Sequence, residues 1–325
     1  MSSFSEWPLE LAVSDVQSLT AEIKAITLRA ADGGPLPVFA AGAHIAVNVA
    51  PDGGAVKHRS YSLINSTRQS GQYEIAVKLE AQGGGGSRFM HALQVGDRLK
   101  AGLPGNDFGL CDQEHEAVLI AGGIGITPIL SMAHALSSSG MPYVLHYASR
   151  SPQGMAYKEV VQALCGPRAS LYFDEGEPSK GLSVMQVLGE PAARRHVYVC
   201  GPRPLIDAVI AAAKALQWPS SHVHFELFGA PASREQDRPC RVVLQRSALT
   251  LDVPAGQSIL EAMVEAGVDP MFDCGRGECG VCAVRVLAGT PEHRDYALSD
   301  SDREEDRLMC VCVSRARSDE LVLDA

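Results

Sequence analysis

The chain has 325 residues, a formal net charge of −10, 46% hydrophobic residues and 20% charged ones. That length suits two or three domains, and the composition is ordinary for a globular protein rather than a fibrous or disordered one. The negative charge argues against nucleic acid as a partner. Residues 1–10 have neither a basic start nor an apolar run, so no secretory signal is expected. Residues 118–136 lack charge, but Gly122, Gly123, Gly125, Thr127 and Pro128 break the run. A buried strand, turn and helix are therefore expected there, not a membrane span, and a cytoplasmic location follows.

Residues 1–112 carry short apolar stretches at 46–49, 60–64 and 73–79, separated by turns such as Pro51-Asp52-Gly53-Gly54. This rhythm predicts an antiparallel β-barrel. Within it, Arg59-Ser60-Tyr61-Ser62 offers a bidentate phosphate partner, an aromatic face and a hydroxyl. A glycine run at 83–86 precedes a predicted short helix over 88–93. It reads either as a flexible linker or as a loop whose amides approach an anion.

Residues 113–229 alternate strand and helix. A strand at 117–121 runs into Gly122-Gly123-Ile124-Gly125-Ile126-Thr127-Pro128 and a helix over 129–136. Further strands are predicted at 143–148 and 196–200, the latter entering Gly201-Pro202 and a helix over 205–216. Repeated units of this kind predict a doubly wound parallel sheet, with ligands at the carboxyl ends of its strands. The first turn is not the Rossmann G-x-G-x-x-G, yet it also leads a strand into a helix N-terminus, which suits a pyrophosphate. Thr127 is expected to cap that helix and Pro128 to occupy its first position.

Residues 230–237 have linker composition, and residues 238–325 form a third segment with a net charge of −6. A hairpin is predicted from 241–246 and 249–253, then a helix over 258–266 opened by a Ser258/Glu261 capping box. Five of the nine cysteines, Cys274, Cys279, Cys282, Cys310 and Cys312, fall in this last quarter. Cys274-x4-Cys279-x2-Cys282 has the spacing of a plant-type [2Fe–2S] site, which takes a distant fourth cysteine. Gly275, Gly277 and Gly280 suit a loop that turns its amides toward a cluster. Zinc sites pair two short knuckles and fit this spacing poorly. Cys310 and Cys312 both qualify as the fourth ligand; two apart on a predicted strand over 308–313, they share a face.

The stretch Cys312-Val313-Ser314-Arg315-Ala316, with His293-Arg294-Asp295 upstream, resembles the C-terminus of the phthalate dioxygenase reductase family, flavin–nicotinamide–ferredoxin reductases that serve Rieske oxygenases. The resemblance covers essentially the whole chain and implies a multidomain β + α/β + α+β protein ending in a β-grasp ferredoxin domain. It selects Cys312 as the fourth ligand and leaves Cys310 a buried or supporting thiol. It implies an FMN site at Arg59, Ser60, Tyr61 and Ser62, with the backbone of Ala76, Val77 and Lys78 beside the ring. Gly86 and Ser87 then meet the phosphate, and Phe228 shields the flavin, with Glu226 near it. Gly123, Gly125, Thr127, Pro128, Cys200, Gly201 and Pro202 would bind the pyridine nucleotide, with Ser149 and Arg150 at its adenosine end. Arg150 there could favour a 2′-phosphate, whereas Asp174, with Glu175 and Glu177, would repel one and favour NADH. The domain order, with the ferredoxin last, implies FMN.

The implied function is the reductase component of an aromatic-ring oxygenase or O-demethylase, passing electrons from NADH to FMN, to the cluster and to a terminal Rieske oxygenase. The acidic stretch 300–306 is a candidate docking surface, and a monomer is expected. No residue is assigned a catalytic role, and His44, His58 and His91 read as surface or packing residues. A stand-alone flavin reductase and a redox sensor are the alternative readings.

Overall fold

The structure, a computed structural model, describes residues 7–50, 54, 56–65, 71–81, 83–111, 115–229, 237–305 and 307–325. The chain forms two compact units, Met1–Glu226 and Leu227–Ala325. The expected boundary at 112/113 and residues 230–236 of the expected linker lie outside the described residues, as do Pro51, Asp52 and Gly53 of the predicted turn and Asp306 of the acidic stretch.

The first unit opens with β1 (Leu9–Ser18), β2 (Ile23–Ala30), β3 (His44–Val49), β4 (Lys57–Ser62), β5 (Tyr73–Lys78), α1 (Gly86–Ala92) and β6 (Arg98–Ala101). The strands pair antiparallel in the order β4-β3-β6-β1-β2-β5. In β3 the alternation is strict, with Ile45, Val47 and Val49 buried and His44, Ala46 and Asn48 half-buried. The two outer strands meet just beyond β4. Ile64 N donates to Glu74 O at 2.9 Å, and Asn65 donates to Gln72 O at 3.1 Å and accepts from Glu74 N at 2.9 Å. These bonds bring the sheet close to closure as a barrel, which satisfies edges that would otherwise be open.

A parallel sheet follows: β7 (Glu116–Gly122), α2 (Ile126–Ser139), β8 (Tyr143–Ser149), α3 (Lys158–Cys165), β9 (Ala169–Phe173), α4 (Val184–Leu188), β10 (Arg195–Cys200), α5 (Arg203–Ala215) and β11 (Val223–Glu226). Its order is β11-β10-β7-β8-β9. The central β7 is apolar without alternation because both its faces are covered, and six of its seven residues are buried. Barrel residues Ile23, Ala25, Ile64 and Ala76 share one core with Ala121, Ile126, Ile129 and Tyr147 of the sheet.

The second unit holds β12 (Cys240–Leu244), β13 (Leu249–Val253), α6 (Ile259–Glu265), β14 (Ala283–Ala288), β15 (Pro291–Glu292), α7 (Asp300–Glu304), β16 (Leu308–Cys310), β17 (Arg315–Ala316) and β18 (Glu320–Leu323). The main sheet runs β13-β12-β18-β14-β16, with β12 and β18 parallel, and β15 pairs with β17. The capping box forms as expected: Ser258 Oγ accepts from Glu261 N at 3.1 Å and Ser258 N donates to Glu261 Oε2 at 2.8 Å. Among the described residues, no helix is long and apolar enough to cross a membrane.

Candidate functional site

Antiparallel pairing places Arg59–Ser62 and Ala76–Lys78 on the two strands that bound the barrel's seam. Tyr61 is half-buried, and burial pushes its hydroxyl up to about 12 while Arg59 beside it opposes the shift. Ser62 is 5% exposed, yet its Oγ makes no hydrogen bond among the described residues. A buried hydroxyl without a partner costs roughly 1–3 kcal/mol, which a bound polar ring edge would recover. The glycine run packs against Arg59. Gly85 caps α1 in the left-handed conformation, and a Cβ at Gly86 would press on Arg59 Cγ at 3.3 Å. Gly86 thus lies beside the Arg59 guanidinium, and Ser87 Oγ accepts from Glu80 N at 3.0 Å. His91 has a definite packing role: its Nε2 hydrogen-bonds Val77 O at 2.8 Å and ties α1 to β5.

At the carboxyl end of the parallel sheet the two predicted turns interlock. A Cβ at Gly125 would overlap the Cys200 carbonyl and approach Gly201 N to 2.6 Å, and one at Gly122 would reach Pro202 Cδ at 2.7 Å. These glycines are needed for the approach of one turn to the other, in addition to any approach to a ligand. The expected cap is absent. A single 3₁₀ turn, Gly123–Gly125, precedes α2, whose N-cap is Gly125, and Thr127 Oγ1 donates to Ile124 O at 3.1 Å. The helix begins three residues earlier than predicted because Ile126 is drawn into the core, which makes Thr127 and Pro128 its second and third residues. Ser149 ends β8, and Arg150 and Asp174 follow adjacent strands: Asp174 N donates to Ser149 O at 3.3 Å and Glu175 N to Arg150 O at 2.9 Å. Cys200 is fully buried and pairs in register with Glu226, which is 4% exposed. Phe228 falls in the second unit and is 40% exposed.

In the second unit the loop from Cys274 to Cys282 is turned by Gly275 (φ 63°), Gly277 (φ 83°) and Gly280 (φ 74°). A Cβ at Gly277 would strike Val313 Cγ2 at 2.7 Å and Asp295 Cα at 3.0 Å, so the position admits only glycine on both counts. The loop directs amides at sulfur: Arg276 N donates to Cys274 Sγ at 3.3 Å. Burial works against the Cys274 thiolate, but the amides of Arg276, Cys279 and Glu278 bring its pKa down overall. Cys282 Sγ lies 3.1 Å from Cys312 Sγ. Hydrogen bonds from Cys310 and then Cys312 pull the Cys282 thiol well below its ordinary range.

The expectation that Cys310 and Cys312 share a strand face is corrected. β16 ends at Cys310, and Val313 N and Ser314 N both turn back to Cys310 O, at 3.3 and 3.0 Å. The two thiols therefore meet different neighbours. Cys312 feels Cys282 and Cys274 and accepts from the Gly277 amide, whereas Cys310 feels Cys282, Asp295 and Cys312. Asp295, 5% exposed, is the support that residue patterns alone did not assign. It accepts from Ser314 Oγ at 3.2 Å and Leu298 N at 3.0 Å, while Arg303 donates to its carbonyl at 2.7 Å. Arg294 beside it holds Asp237 at 2.6 Å and Glu292 at 3.0 Å.

Three family models match the chain in the order of these sites: an oxidoreductase FAD-binding domain over residues 10–108, an oxidoreductase NAD-binding domain over 119–210, and a 2Fe-2S iron-sulfur cluster binding domain over 242–317. The phthalate 4,5-dioxygenase oxygenase reductase subunit of Pseudomonas putida is 41% identical over 89% of this chain and 88% of its own length. Phthalate dioxygenase reductase of Burkholderia cepacia is 38% identical over 97% of each chain. A solved structure of phthalate dioxygenase reductase aligns with a TM-score of 0.75 and 37% identity over 98% of both chains.

Proposed function

Because the chain belongs to the phthalate dioxygenase reductase family, an oxidoreductase family with flavin-binding, NAD-binding and [2Fe–2S] domains, we propose that it is the reductase component of an aromatic-ring oxygenase or O-demethylase system. On this reading electrons enter from NADH and leave to a terminal Rieske oxygenase. When bound, the flavin accepts an electron pair as hydride and releases it singly, and the cluster carries one electron at a time. The domains are a flavin barrel over 1–112, a nucleotide domain over 113–229 and a ferredoxin domain over 238–325.

The observation that carries the proposal is the arrangement of sulfurs in the second unit. Cys274, Cys279, Cys282 and Cys312 are the proposed ligands, with Cys274 hydrogen-bonded to Cys279 and 3.1 Å between Cys282 and Cys312. Amide N–H groups aimed at sulfur stabilise thiolates and tune a cluster's potential. The Gly277 amide favours Cys312 over Cys310 as the fourth ligand.

In the first unit Arg59, Gly86 and Ser87 are proposed to hold the flavin phosphate, Ser62 and Tyr61 the ring edge, and the Ala76, Val77 and Lys78 backbone its flank. The domain order, with the ferredoxin segment last, supports FMN over FAD. Gly123, Gly125, Thr127, Pro128, Cys200, Gly201 and Pro202 are proposed to take the nucleotide, and Asp174, whose strand end pairs with that of Arg150, supports NADH over NADPH by disfavouring a 2′-phosphate there. An anaerobic NADH titration followed by absorbance and electron paramagnetic resonance, with the released flavin identified, tests all of this. FMN and a rhombic [2Fe–2S]⁺ signal are expected, and absence of either removes the proposal.

A further inference from the structure

A short segment of the first unit, Met155-Ala156-Tyr157, touches both halves of the proposed flavin–nucleotide site. It follows an exposed turn, yet its three residues are 4%, 0% and 8% exposed. Tyr157 is one of four described non-glycine residues with positive φ, at 57°. That left-handed conformation costs about 1–2 kcal/mol and persists where surrounding contacts enforce it. Here the contact is a hydrogen bond from Tyr157 Oη to Glu74 Oε1 at 2.8 Å. Burial first, and then Glu74, pushes the Tyr157 hydroxyl above its ordinary range, so it remains a donor.

Glu74 lies on β5, two residues before Ala76, and its own backbone is fixed by Ile64 and Asn65, which follow the Tyr61-Ser62 pair after Leu63. On the other side, Ala156 supplies a backbone hydrogen bond to the fully buried Tyr147, whose Oη donates to Gly123 O at 3.0 Å. One rigid segment is thereby tied at one end to the seam strand of the flavin barrel and at the other to the glycine turn of the nucleotide domain. The strand ladders themselves do not depend on these side-chain bonds: β5 is also paired with β2, and β7 with β8 and β10.

We infer that Tyr157, acting through Glu74, is a positioning residue that sets the distance and angle between the bound nicotinamide and the flavin ring. The inference rests on the flavin and nucleotide assignments above. Hydride transfer is sensitive to such placement, because a misplacement on the order of 1 Å by a remote change can lower a rate as much as 100-fold. Tyr157 is not among the residues proposed to bind either cofactor, so its removal should act on the reduction step and spare nucleotide binding.

The test is Tyr157→Phe in the full-length protein, with anaerobic stopped-flow reduction of its flavin by NADH. The flavin reduction rate should fall about tenfold with the half-saturating NADH concentration little changed. Hydrogen exchange of the apoprotein should quicken in the 123–126 and 73–78 peptides. Glu74→Gln, which retains the acceptor oxygen, should keep near-normal reduction, while Glu74→Ala should match Tyr157→Phe with no further loss in the double variant. A Tyr157→Phe protein with a lowered melting temperature but wild-type reduction rate would overturn the inference, as would a defect confined to NADH affinity or additive losses in the double variant. A wild-type protein whose flavin NADH does not reduce would instead overturn the functional proposal.

Discussion

At the scale of single residues, the two sites make opposite demands on their buried polar groups. Ser62 Oγ is buried without a partner, so it contributes nothing to the folded apoprotein that alanine would remove. Ser62→Ala should leave the apoprotein's thermal midpoint unchanged or raised, and weaken flavin binding by about 1 kcal/mol, roughly fivefold in Kd. Flavin fluorescence titration beside calorimetry checks both halves. Cys310 and Cys312 present the complementary case. Cys312 accepts from the Gly277 amide and faces Cys274, while Cys310 faces Asp295. Cys312→Ser should abolish the visible absorbance of the cluster, and Cys310→Ser should retain most of it; iron and sulfide analysis gives the occupancy. The reverse result would make Cys310 the ligand.

At the scale of elements, the distribution of what was legible has a physical pattern. β7 and β10 were readable because each carries a buried apolar run, β8 because apolar residues dominate it, and β12 and β13 because two short apolar stretches flank a turn. The α6 capping box was readable because both partners lie within four residues. The α2 boundary and the end of β16 were not, since Ile126 is claimed by a distant core and the turn after Cys310 is fixed by contacts with Cys282 and Leu260. The tyrosine clasp was invisible for the same reason: Glu74 and Tyr157 are 83 residues apart.

A stack of histidines was equally illegible. His196 and His222 lie face to face at 4.2 Å, His224 stacks on Tyr198 at 4.6 Å, and His115 approaches His196 at 5.1 Å. All four lie toward the amino-terminal ends of β7, β10 and β11, away from the nucleotide turns. Burial first, then the neighbouring histidines, pushes His224 down to about 4 and lowers His196 as well. A depressed histidine is neutral when folded and binds protons more readily when unfolded. Its contribution to stability is therefore complete above pH 6.5 and is lost as pH falls toward 4. The melting temperature of the first unit should drop across that window, and His224→Asn should flatten the drop; parallel profiles for the two proteins would show that other groups carry it.

At the scale of the whole molecule, charge separates internal from external electron transfer. Residues 238–325 carry a net charge of −6 with no lysine, and α7 presents Asp300, Asp302 and Glu304 in its five residues. Asp302 is partly occupied, because its carboxylate closes the Ser299 capping box at 3.3 Å to Ser299 N. The exposed Glu304 has no such bond among the described residues and can contribute to a field that attracts a basic partner. Association steered by such a field weakens as salt shortens the Debye length from about 30 Å at 0.01 M to about 8 Å at 0.15 M. Electron delivery to the oxygenase under second-order conditions should therefore slow several-fold over that range, while reduction of the flavin at saturating NADH changes little. Glu304→Gln should lower the second-order rate at low salt and shallow its salt dependence without altering the rate at saturating oxygenase. Rapid-mixing measurements with prereduced protein separate these quantities. A second-order rate flat with salt would leave the acidic face as a solubility feature and move the docking determinant to the exposed apolar residues beside the cluster loop, Met271, Phe272 and Val281.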